Sequence, residues 1–149
     1  MKNFIFSNPT RIIFGKGAIA DLPKFIPNKS DILMTYGCGS IKKNGVYEQI
    51  RKALAGFNMY EFGGIESNPS YETCMKAVEM VREKAVNFLL AVGGGSVLDA
   101  TKFIALAACY TASHDPWDFI LGRKTGPSRA IPIGTVVTTP LQDRKTIAV

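Results

Sequence analysis

The sequence predicts an α/β domain built on a parallel sheet with helices on both faces. Three observations carry that expectation. Short apolar runs alternate with segments of helical periodicity along the chain. The run Phe88-Leu89-Leu90-Ala91-Val92 is continuously apolar, as a central parallel strand covered on both sides must be. Two strand-like runs end in glycine-rich turns, Gly37-Cys38-Gly39 and Gly93-Gly94-Gly95. An apolar fraction of 46% in 149 residues suffices for one domain with its own core.

Residues 4–6 and 11–14 read as a pair of short strands around the Asn8-Pro9 turn, followed by a short helix over 18–25. Residues 31–36 form a strand that runs into Gly37. Val46, Tyr47, Ile50, Ala53 and Leu54 then share one face at helical spacing, with Asn44-Gly45 opening that helix and Gly56 suiting its exit. A strand over 57–62 leads to the Gly63-Gly64 turn. Asn68-Pro69 predicts the next helix start, with Asn68 as cap and Pro69 at the first helical position. Cys74, Ala77, Val78 and Val81 supply its buried stripe. After the strand over 88–92 comes a helix over 97–110 that is apolar almost all round. Residues 114–129, rich in Gly, Pro and charge, read as a surface loop with a helical turn at 117–121. A last strand over 131–138 ends in Thr139-Pro140.

The net charge of +6 suits an anionic partner, but the basic residues are scattered singly or in pairs and no basic stripe interleaves with aromatics. Nucleic acid is therefore not an expected partner. No apolar stretch is long enough to cross a bilayer and no signal-peptide core is present, so membrane partners are not expected and a cytoplasmic location is. Cys38, Cys74 and Cys109 are odd in number and far apart, which suggests neither a disulfide framework nor a zinc site. The single histidine, His114, sits in a polar loop and reads as a solvated side chain; no metal ligand set and no catalytic residue is assigned.

Gly93-Gly94-Gly95-Ser96-Val97-Leu98-Asp99 carries the strongest chemical signal. Glycines let a ligand approach the backbone closely, and the helix that follows offers unpaired N–H groups and a positive dipole end to a pyrophosphate. The plain alternative is a Ser-x-x-Asp helix cap formed by Ser96 and Asp99. At Tyr36-Gly37-Cys38-Gly39-Ser40 no acid stands ready for a ribose 2′-hydroxyl. Small residues, the Ser40 hydroxyl and Lys42-Lys43 leave room and charge for a 2′-phosphate, which favours NADP, with NAD as the alternative. Thr138-Thr139 stands at the C-terminal end of the last strand, where open α/β sheets bind ligands; two β-formers finishing a strand would look the same.

Taken together, Pro9-Thr10-Arg11-Ile12-Ile13-Phe14-Gly15-Lys16-Gly17, the segment from Tyr36 to Gly45, Gly64-Ile65-Glu66-Ser67-Asn68-Pro69, the segment from Gly93 to Lys102 and Asp115-Pro116-Trp117 resemble the iron-type (group III) alcohol dehydrogenases. The middle segments resemble the butanol dehydrogenase and NADPH-dependent aldehyde reductase branch. The resemblance implies a Rossmann-like dinucleotide-binding domain over 1–140, the N-terminal part of a two-domain enzyme whose helical C-terminal domain holds iron or zinc. It places Gly93, Gly94, Gly95 and Ser96 by the pyrophosphate. Gly37, Gly39 and Ser40 fall by the adenosine ribose with Asn68 nearby, and Asp99, Thr138 and Thr139 by the nicotinamide half. It also implies a small aldehyde or alcohol substrate for the intact parent.

Residues 141–149 depart from the family pattern and read as a non-family tail. The metal-binding half is expected to be missing and the chain inactive by itself. The apolar helix over 97–110 would then leave a face open to association into a homo-oligomer. A stand-alone nucleotide-binding module, or a piece of a relative similar to dehydroquinate synthase or glycerol dehydrogenase, remain alternatives.

Overall fold

The computed structural model describes residues 8–110, 114–138 and 145–148. Its centre is a four-stranded parallel sheet. Strand β2 (Asp31–Tyr36) lies between β3 (Asn58–Phe62) and β4 (Phe88–Gly93), and β4 pairs in turn with β5 (Ile133–Val137). Two short antiparallel strands complete one edge: β6 (Lys145–Ala148) runs beside β5, and β1 (Ile12–Gly15) pairs with β6. The spatial order is β1-β6-β5-β4-β2-β3.

Alternation along the central strands divides the core in two. Ile32, Met34, Phe88, Leu90 and Val92 face the 3-10 helix Ala18–Lys24, α1 (Ser40–Lys43) and α2 (Val46–Ala53). Leu33, Leu89 and Ala91 face α3 (Tyr71–Glu83) and α4 (Gly95–Ala107). Both faces of β4 are thus covered, and five of its six residues are buried. That is why its sequence shows an unbroken apolar run rather than alternation. A buried polar link joins the second layer to the sheet: the Thr35 and Thr101 hydroxyls lie 2.7 Å apart, and Thr101 Oγ1 donates to the Val97 carbonyl at 2.7 Å.

Several local expectations shift. Helix α3 is capped by Ser70, whose Oγ accepts the Thr73 N–H at 3.1 Å, rather than by Asn68 with Pro69 as first residue. Asn68 instead takes a left-handed conformation with φ 55°. Helix α4 starts at Gly95 with Gly94 as N-cap, so Ser96 lies inside it and makes no cap; Asp99 pairs with Lys102 at 3.4 Å. The short helical turn in the surface loop forms as α5 (Trp117–Ile120). Residues 4–6 lie outside the described residues, and the partner of β1 is β6, formed by residues 145–148 of the segment read as a tail.

Candidate functional site

The order of the parallel strands fixes where a ligand can sit. From β2 the chain moves outward to β3 on one side, then returns to β4 and moves on to β5 on the other side. The reversal falls between β2 and β4, and the loops leaving their C-terminal ends diverge there to open a crevice. A cleft of about 310 Å³ occupies that place. Gly37, Cys38 and Ser40 line it from the β2 end, Gly93, Gly94, Gly95 and Ser96 from the β4 end, and Thr138 from the end of β5.

The far wall is the segment after β3. The Gly64 N–H donates to the Gly37 carbonyl and the Ile65 N–H to the Tyr36 carbonyl, both at 3.1 Å. This stitching brings Ile65, Glu66 and Ser67 to the cleft. Glu66 Oε1 accepts the Ser70 N–H at 2.8 Å and the Thr73 hydroxyl at 2.9 Å, tying the wall to the first turn of α3. The Ser70 N–H in particular holds the Glu66 carboxyl down at a pKa of about 2.

The floor is the turn into α4. Gly93 packs against the helix so closely that a Cβ there would stand 2.9 Å from Val97 Cγ2. Gly94 and Gly95 differ: a Cβ on either would meet nothing within 4 Å, and neither has a positive φ. The fold itself therefore does not demand glycine at these two positions. No side chain caps α4, and its first hydrogen bond runs from the Leu98 N–H to the Gly94 carbonyl at 3.2 Å. The N–H groups of Gly95, Ser96 and Val97 precede that bond, at the positive end of a 13-residue helix. The Thr138 N–H donates to the Gly93 carbonyl at 3.0 Å and closes the β5 side.

Of the residues picked out in the sequence, Gly37, Ser40, Gly93, Gly94, Gly95, Ser96 and Thr138 come together at this cleft. Gly39 stands next to it as the N-cap of α1, with φ 99°. Asn68 follows the far-wall residue Ser67 in sequence and is not among the residues that line the cleft. Asp99 lines a neighbouring cleft of about 210 Å³ with Tyr71, Phe103 and Trp117. Thr139 lies outside the described residues. His114 is exposed, its Nδ1 3.1 Å from Lys124 Nζ. Ile65, Glu66, Ser67 and Cys38 stand in segments the sequence reading quoted, but it assigned none of them to the site. The first three follow a strand by several residues, and only their stitching to β2 brings them in.

A model of the iron-containing alcohol dehydrogenase family matches residues 9–145. The chain belongs to this family. The iron-containing alcohol dehydrogenase reading is reinforced by individual relatives. The chain is 56% identical over 140 residues to the NADPH-dependent aldehyde reductase YqhD of Escherichia coli, covering 94% of this chain and 36% of the relative. It superposes on the substrate- and cofactor-free crystal structure of that enzyme with a TM-score of 0.88, covering 93% and 37% of the two chains. It is 50% identical to NADP-dependent alcohol dehydrogenase 3 of Entamoeba histolytica, covering 98% and 38%. The NADH-dependent butanol dehydrogenase A of Thermotoga maritima superposes with a TM-score of 0.83 at 37% identity, covering 93% and 39%. The chain thus spans a little over a third of the length of these iron-containing alcohol dehydrogenases, and it aligns with their N-terminal part.

Proposed function

We propose that this chain forms the dinucleotide-binding part of an oxidoreductase that interconverts aldehydes and primary alcohols, with NADP as the preferred cofactor. One observation carries the reading. Gly94 and Gly95 are glycines that the fold does not need, set at an uncapped helix N-terminus on the floor of the switch-point cleft. A Cβ at either would fill space above N–H groups that suit a pyrophosphate. The names of two relatives, NADPH-dependent and NADP-dependent, support the cofactor preference.

In this reading the backbone of Gly94, Gly95 and Ser96 receives the pyrophosphate. Gly93 lets the turn press against Val97 and so aims those N–H groups. Gly37, Gly39 and Ser40 flank the adenosine ribose, with Asn68 beyond them, and Thr138 and Thr139 border the nicotinamide half. Asp99 belongs to the neighbouring cleft and is assigned no contact. When bound, the nicotinamide supplies or accepts a hydride. The residues of this chain bind the dinucleotide, orient it and exclude water from one side of it. Among the described residues no three His, Cys, Asp or Glu side chains gather as a metal site. The reading therefore assigns these residues no step at the carbonyl oxygen.

Calorimetric titration with NADPH and NADH tests the proposal. The expected result is binding by the wild-type chain and its loss in Gly95→Asp, a variant whose side chain has open space and adds a negative charge where the pyrophosphate would lie. Binding of neither nucleotide, or equal binding by a folded Gly95→Asp, would overturn it.

A further inference from the structure

Three aromatic rings and a carboxylate border the smaller cleft of about 210 Å³, which the glycine cradle does not explain. Tyr71 is the first residue of α3, Asp99 and Phe103 stand one turn apart on α4, and Trp117 opens α5. The buried Cys74 and Ala100 complete the lining between the two long helices. The rings meet at steep angles. Phe103 lies 5.8 Å from Tyr71 between centroids with the planes at 66°, and Trp117 lies 5.2 Å from Tyr71 at 70°. Both pairs are edge-to-face, so Tyr71 is stacked on neither neighbour.

Two features set this cleft apart from core packing. Its rings are left open: Trp117 is 43% exposed, and Tyr71 and Phe103 are half-buried. Its surroundings are also acidic. Asp99 lines the cleft, and Glu72 lies in the first turn of α3. Asp115 accepts the Tyr71 hydroxyl, and it accepts the Trp117 N–H at 2.9 Å. Donation to a carboxylate leaves the phenol ring richer in electrons, which strengthens the pull of its face on a cation. The positive end of α3 is answered within the fold, because the Ser70 N–H goes to Glu66 and the Thr73 N–H to Ser70 Oγ. Arg123 and Lys124, in the loop that carries α5, pair with Asp118. Lys102 is the competing cation, 3.4 Å from Asp99 Oδ1, but both side chains are mostly exposed and Lys102 does not line the cleft. Such a surface pair is weak and yields readily to another cation.

We propose that Tyr71, Phe103 and Trp117 form an aromatic cage for a small organic cation of the quaternary ammonium class, with Asp99 supplying the opposite charge at its edge. Aromatic rings attract such a cation electrostatically, while its methyl groups fill apolar space. A lysine-type ammonium is compact and strongly hydrated, and so loses more on entering. The volume also bears on the occupant. Pockets for drug-sized ligands begin at about 300 Å³, and this cleft is smaller, so it suits a small free molecule. The site stands independently of the dinucleotide reading, since nothing in it requires a bound nucleotide.

Trp117 is the only tryptophan of the chain, so its fluorescence reports on the cleft directly. The test is titration of the full chain with tetramethylammonium chloride, with tert-butanol as an uncharged probe of similar size and sodium chloride to match the ionic strength. The expected result is a saturable change in Trp117 emission with tetramethylammonium, and binding of tert-butanol at least about tenfold weaker, as contacts with three rings imply. Phe103→Leu keeps the cleft apolar and should weaken tetramethylammonium by about threefold while leaving tert-butanol nearly unchanged. Asp99→Asn changes a side chain that is 73% exposed, so the core is untouched, and should also weaken only the cation. Lys102→Gln removes the competitor and should tighten cation binding. No saturable response to tetramethylammonium, or equal binding of tert-butanol, would overturn the proposal. So would wild-type affinity for the cation in a cooperatively melting Asp99→Asn and Phe103→Leu pair.

Discussion

Replacing Gly95 with alanine should make the chain more stable and worse at binding, a combination that few structural glycines would give. In the folded chain Gly95 is the first residue of α4, its φ is not positive, and an added Cβ meets no heavy atom within 4 Å. Alanine also narrows the unfolded ensemble, so the substitution should stabilise by about 0.4–1 kcal/mol. For a chain of this size that is a rise in melting temperature of about 1–4 °C. The same methyl stands where a pyrophosphate would meet the helix N-terminus, and loss of one charge-assisted hydrogen bond predicts at least about tenfold weaker NADPH binding. Gly93→Ala is the counterpart. Its Cβ would lie 2.9 Å from Val97 Cγ2 and 3.2 Å from Val97 Cβ. Carbon contacts prefer about 3.5–4.0 Å. Val97 is β-branched and cannot easily rotate away, so the variant should lose about 1–3 kcal/mol. Thermal melts followed by circular dichroism, with calorimetric titration of each variant, check both halves. A Gly95→Ala chain that melts lower than wild type would show that the fold itself needs that glycine. One that binds NADPH as tightly as wild type would show that no ligand approaches there.

Thr101→Val keeps the shape of a buried side chain but removes the hydroxyl that meets Thr35 and the Val97 carbonyl; it should lower the stability measured by urea unfolding by about 1–2 kcal/mol. Glu66, with its carboxyl held at about 2 against an ordinary 4.5, favours the fold in its ionised form. Its contribution is complete above about pH 4.5 and fades as the pH falls toward 2, so Glu66→Gln should flatten the acid limb of a stability profile in that window. Iodoacetamide should label exposed Cys38 well before Cys74, whose thiol burial pushes up to about 11, as peptide mass spectrometry can show. Saturating NADPH should protect Cys38, which lines the cleft; an unchanged labelling rate would place the cofactor elsewhere.

What the sequence revealed and what it hid divide along one physical line. Strand β4 was legible because burial on both faces leaves a local mark, an apolar run closed by glycine. The stripe of Cys74, Ala77, Val78 and Val81 was legible for the same reason, since one helix face meets one core. The start of α3 was misread because Ser67-Asn68-Pro69-Ser70 offers competing caps within four residues. The choice falls to Ser70, whose N–H and Thr73 partner are both engaged by Glu66. Strand β6 was hidden because a four-residue segment becomes a strand only by inserting between β5 and β1, and nothing in Lys145–Ala148 itself announces that pairing.

The two halves of the cleft obey different constraints. On the β4 side the cradle is backbone. Its recognition elements are N–H groups, the same for any sequence, and what the sequence must do is withhold side chains, as it does at Gly94 and Gly95. In the proposed reading that surface meets the pyrophosphate common to NAD and NADP. On the β2 side residues with side chains, Cys38 and Ser40, join Gly37 in the lining. The topology enforces this separation: the reversal between β2 and β4 brings the two loops to one crevice while leaving them on independent elements.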